Sequence, residues 1–138
     1  MQARDKIKNE SRGVLVLTSR REFEALVERS LKSIPFRFRR RMENVVFVVE
    51  DEPLEPNLLG LYEGRPLTER SLSDGFRMPD RITFYQGPHE RLGRNPAHLE
   101  QLVQDTVWHE VAHYFGMDEA QVRRAERRNL YRCRNLRP

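Results

Sequence analysis

The stretch from Asn95 to Gly116 constrains the fold more than any other, because both ends of a helix are written into it and its second half has almost no polar side. Asn95 is a favourable N-cap, Pro96 suits the first helical position, and Gly116 stops the apolar pattern. At 3.6 residues per turn this is a helix of about five turns. Val107, Trp108, Val111, Ala112, Tyr114 and Phe115 surround the axis of its second half nearly completely. A helix that is apolar all round belongs inside a fold, so the other elements are expected to pack about it. Its few ionisable groups there, His109, Glu110 and His113, are then shielded from bulk water and need partners.

Those three residues form a His-Glu-x-x-His pattern inside the helix. Residues four apart share a helix face, so His109 and His113 project side by side and both imidazoles can reach one ion. Glu110 lies about 100° round from His109, where it can flank a metal without occupying it. A catalytic zinc keeps three protein ligands and a water, and a carboxylate beside that water can take its proton as the oxygen attacks a carbonyl. Glu110 is therefore the candidate base. With only 4 histidines in the chain, composition alone would place this pattern in roughly one such chain in a hundred, and the helical context lowers that further.

A third ligand must come from elsewhere. Gly116 allows a sharp turn, after which Asp118 reads as the N-cap of a second helix running to about Tyr131. Glu119, ten residues after His109, is the candidate ligand, against the plain alternative of a carboxylate favoured at a helix start. Asp118 and, on the following helix, Glu126 remain candidates. His98, in the first helical turn, and His89, in the loop before it, are expected to be solvated or locally hydrogen-bonded, and Trp108 and Tyr114 to be core residues. The only cysteine, Cys133, excludes an intrachain disulfide and any multi-cysteine metal site.

Upstream, Val14 to Leu17 reads as a short buried strand, and Ser19 with Glu22 three residues on is a capping-box signature. The helix it opens carries Phe23, Leu26, Val27, Leu31 and Ile34 at helical spacing. Pro35 starts another short helical turn, and Val45 to Val49 is a β-branched run expected to be a strand buried on both faces. Leu58 to Tyr62 and Arg81 to Tyr85 are two more expected strands. The connection between them, with Gly64, Pro66, Asp74, Gly75 and Pro79, is long for a hairpin and could border a site.

A chain of 138 residues with 38% hydrophobic and 33% charged residues is expected to fold as one domain over 1–138, with Met1 to Gly13 as a flexible start. That start lacks the apolar core of a signal peptide and no later run is long enough for a membrane span, which points to a cytoplasmic protein. The net charge of +4 is carried almost wholly by arginine, including a tail from Arg123 to Arg137. No nucleic-acid recognition motif accompanies that tail, so a solvated helix face is the expectation and a nucleic-acid partner is not.

The chain also resembles the minimal zincin-like metallopeptidases of bacteria. The segments VVFVVEDEP (45 to 53), LLGLYEG (58 to 64), PLTERS (66 to 71), DRITFYQGP (80 to 88) and HEVAHYFGMDE (109 to 119) follow that family's order and spacing. The resemblance spans Ser19 to Arg128 and implies an α+β, minimal zincin-like fold, a small mixed sheet packed on the active-site helix with a further C-terminal helix. It implies zinc held by His109, His113 and an acidic ligand at Glu119, with Glu110 catalytic. The family more usually places Asp where this chain has Glu119, and no methionine follows Met117 to make the methionine turn of metzincins. It further implies an antiparallel edge strand, here Leu58 to Tyr62 beside Arg81 to Tyr85, that holds extended peptide.

The resulting expectation is a zinc-dependent metallopeptidase acting on a peptide or protein substrate through a metal-activated water. The alternative is a metal-binding regulatory or interaction protein that keeps the zincin site with little or no hydrolysis.

Overall fold

The computed structural model describes residues 16–65 and 78–136, with side chains described as far as Arg127. The N-terminal segment to Gly13, residues 66–77 of the connection between the last two strands and the Cys133 side chain lie outside the described residues. The elements run α1 (Arg20–Lys32), α2 (Phe36–Arg39), β1 (Val45–Glu50), β2 (Gly60–Glu63), β3 (Asp80–Tyr85), α3 (Gln86–Leu92), α4 (Pro96–Tyr114) and α5 (Glu119–Leu136). This is the expected α+β architecture, a three-stranded mixed sheet packed with helices.

The helix starts follow from local chemistry. Ser19 accepts from the Glu22 backbone while Glu22 returns a bond to the Ser19 N–H, the reciprocal capping box. Asn95 accepts from the His98 N–H with Pro96 at the first helical position. Asp118 and Gln121 cap α5 in the same reciprocal way, each at 2.8 Å. The chain reverses between α4 and α5 at Gly116, whose φ of 91° is a left-handed conformation that favours glycine.

β3 is the central strand, parallel to β1 with Val45 opposite Asp80 and antiparallel to β2 with Gly60 opposite Phe84. Its Ile82 and Phe84 enter the core with Phe23, Val27 and Ile34 of the α1 region and Leu99, Val103, Val107, Val111 and Tyr114 of α4. Full burial of each such side chain contributes about 1.5–3 kcal/mol, so α4 is held chiefly by this row. Tyr114 anchors the far end of α4: its hydroxyl accepts from the Glu43 N–H at 3.0 Å and lies 3.1 Å from the Glu43 carbonyl oxygen. No helix among the described residues is long and apolar enough to cross a membrane.

Three expectations are corrected. Of the Val14 to Leu17 segment, the described part, Val16 and Leu17, is not in a strand, although Val16 packs against the core. β1 is not buried on both faces: in so narrow a sheet it forms an edge, and Val46 and Phe47 are exposed by 44% and 38%. His89 sits on α3 rather than in a loop, is fully buried, and lies 2.7 Å from the Tyr85 carbonyl oxygen and 2.8 Å from Thr106 Oγ1.

Burial pushes the His89 pKa down, with the Tyr85 carbonyl acting weakly the other way. The unfolded chain therefore takes up a proton near pH 6.5 that the folded protein resists. Stability supplied by neutral His89 is complete above that pH and lost as pH falls toward the folded value. The gap in melting temperature between wild type and His89→Gln is expected to narrow as pH drops from about 6.5. A constant gap across that range would remove His89 from the acid response.

Candidate metal centre

The site is built on the second half of α4 and closed by α5. His109 and His113, one turn apart, present their rings in an edge-to-face pair with centroids 4.9 Å apart. Gly116 turns the chain so that Glu119, the first residue of α5, comes back over them. Its Oε1 lies 3.2 Å from His109 Nε2 and 2.7 Å from His113 Nε2. A tetrahedral ion with ligands at about 2.0–2.1 Å would space them at about 3.3 Å, so this donor set needs little movement to take one. His109, His113 and Glu119 offer ligand atoms within 4.8 Å of one another.

The other ring nitrogens are also occupied. His113 Nδ1 faces the Met117 carbonyl oxygen at 3.0 Å, and His109 Nδ1 faces Glu126 Oε2 at 3.0 Å. Each acceptor favours a proton on Nδ1 and leaves Nε2 free for a metal, as imidazole ligands require. Of the other acidic candidates, Asp118 is engaged as the α5 cap, and Glu126 meets His109 on the opposite side of its ring from Glu119.

Glu110 packs against Gly60 of β2 and is 7% exposed. Burial raises its pKa, partly countered by His109, His113 and the donated backbone N–H of Tyr62. A carboxyl so placed holds its proton more readily than an exposed one. The Glu119 carboxyl is shifted the other way: slight burial opposes the shift, but its contacts with the His113 and His109 rings hold it below the usual range. For His109, burial works to lower the pKa and is outweighed by the Glu126 hydrogen bond and the charges of Glu110 and Glu126, so the net shift is upward.

A family model described as zincin-like metallopeptidase matches residues 42–128, more than half of the chain. The chain belongs to the zincin-like metallopeptidase family. Among solved structures, this zincin-like chain is similar to a conserved hypothetical protein from Thermo thermophilus, with 30% identity and a TM-score of 0.49. That match covers 70% of this chain and 92% of the other. A comparison with curated proteins finds no match.

Two contributors to the candidate centre of this zincin-like chain carry weak sequence signals or none. Gly60, at the start of β2, lets the strand lie directly on α4: a Cβ there would sit 2.8 Å from Thr106 Cγ2 and 3.0 Å from Glu110 Cγ. A glycine in a strand hints at such close approach without saying to what. The buried contact between His89 and Thr106, four residues before Glu110, had no pattern by which to be found. Gly60→Ala is expected to push β2 and Glu110 apart and cost about 1–3 kcal/mol, read as a lowered melting temperature. An unchanged melting temperature would mean that the contact relaxes freely.

Proposed function

We propose that the protein is a zinc-dependent peptidase with His109, His113 and Glu119 as metal ligands and Glu110 as general base. The observation that carries this reading is the convergence of two imidazole Nε2 atoms and one carboxylate oxygen beside a separate, buried carboxylate. Zinc bound there would act as a Lewis acid, lowering the pKa of a water and polarising the scissile carbonyl. Glu110 would accept the proton of the attacking water and return it to the leaving amine, a role suited to a carboxyl whose pKa is raised by burial.

A groove of about 650 Å³ runs beside Glu110, between the Asn57–Gly60 segment and α4, and reaches His109 and Glu126. β2 is an edge strand antiparallel to β3. An extended peptide added along this edge would keep its main chain hydrogen-bonded while its scissile carbonyl lies beside the His109, His113 and Glu119 cluster, within reach of a water held by Glu110. The proposed substrates are therefore peptides or proteins in extended conformation.

The test pairs elemental analysis of protein purified without added metal with cleavage of a broad peptide library. Close to one zinc per chain and metal-dependent cleavage are expected. Zinc uptake should weaken as pH falls, and from a higher pH than an ordinary imidazole would give, because the upward shift of His109 lets protons compete sooner. Metal content near zero after zinc supplementation would end this reading. Zinc uptake without any cleavage would favour a metal-binding regulatory protein.

A further inference from the structure

Glu126 stands apart from the other carboxylates of the centre. It belongs to a helix rich in arginine, with Arg123, Arg124 and Arg127 close by in sequence. A carboxylate on such a helix ordinarily pairs with an arginine one turn away. Here Arg123 lies nearest Glu119, at 4.0 Å, and among the described residues the only hydrogen bond of Glu126 goes to His109 Nδ1, at 3.0 Å. Glu126 turns inward to a ring whose other nitrogen is already beside Glu119.

The two imidazoles are thus held by different means. His113 is oriented by the Met117 carbonyl, a main-chain group four residues along the same chain segment, which no side-chain substitution removes. His109 depends on a side chain seventeen residues away, carried on α5. Seven residues are almost two full helical turns, so Glu119 and Glu126 share one face of α5 and approach His109 from the same helix. That face buries little else: Val122 is the one fully buried apolar side chain of α5 among the described residues.

We infer that Glu126 is a positioning residue of the metal centre, holding the His109 ring through Nδ1 so that Nε2 faces His113 and Glu119. An ionised acceptor at Nδ1 keeps the proton on that nitrogen, fixes the ring plane and makes Nε2 a stronger donor to the metal. The inference rests on the zinc reading above and assigns Glu126 no contact with the metal or the substrate.

The experiment measures zinc affinity by competition with a chromophoric chelator for wild type, Glu126→Ala, Glu126→Gln and His109→Ala, with helix content followed by circular dichroism. Glu126→Ala is expected to bind zinc about 10- to 100-fold more weakly with helix content retained, the usual scale for such outer partners. Glu126→Gln, whose amide oxygen still accepts from Nδ1–H, should recover much of that loss. In the zinc-loaded Gln variant the His109 ring N–H signal should shift while that of His113 stays in place, which tests the contact even if the Ala variant fails to fold. Wild-type affinity in Glu126→Ala, or an unmoved His109 ring signal in Glu126→Gln, would overturn the inference. Retention of zinc by His109→Ala would instead overturn the ligand assignment beneath it.

Discussion

Glu110→Gln is expected to keep zinc at the wild-type level and to lower peptide hydrolysis about 10²- to 10⁴-fold, the range of a lost general base. The amide has the shape of the carboxyl and can still accept the Tyr62 N–H that reaches it. It cannot take a proton from a water. Nor should its loss disturb the ligands, because Glu110 faces Gly60 and β2 whereas the imidazoles converge on Glu119. Turnover per bound zinc, measured on a peptide that wild type cleaves, checks the claim. Equal turnover in the variant would remove Glu110 from the reaction and leave the metal centre untouched.

Glu119→Ala is expected to abolish tight zinc binding, since two imidazoles alone make an incomplete site. Asp118→Ala, one residue away, should keep zinc and cost about 1 kcal/mol through loss of the α5 cap. Neighbouring carboxylates thus give opposite signatures, one in metal content and the other in melting temperature. The contrast arises because Asp118 accepts the Gln121 N–H while the Glu119 oxygen sits within 3.2 Å of both Nε2 atoms. Glu119→Asp should retain metal, the shorter carboxylate reaching the same histidines from an exposed helix start. If Glu119→Ala bound zinc as tightly as wild type while Glu126→Ala did not, the third ligand would have to be reassigned to Glu126.

What the residues alone determined were the features closed within a few positions of the chain. The caps at Ser19, Asn95 and Asp118 were readable because each bond spans three residues. The pairing of His109 with His113 was readable because a helix places residues four apart on one face. Strand positions near Val45, Gly60 and Arg81 were likewise legible from β-branched and turn residues, within one or two positions of the observed limits.

Only the tertiary structure decided how those pieces meet. A run such as Val45 to Val49 has the same composition in a covered strand and in an edge strand, so the exposure of Val46 and Phe47 depended on how narrow the sheet is. Glu126 could be weighed as a ligand from its position, but its place at His109 Nδ1 depends on how α5 folds back across α4. The burial of His89 against Thr106 and the approach of Gly60 to Glu110 join segments 17 residues and 50 residues apart. Contacts of that range leave no periodic mark on a sequence, because they are set by packing between elements and not by the repeat of any one of them.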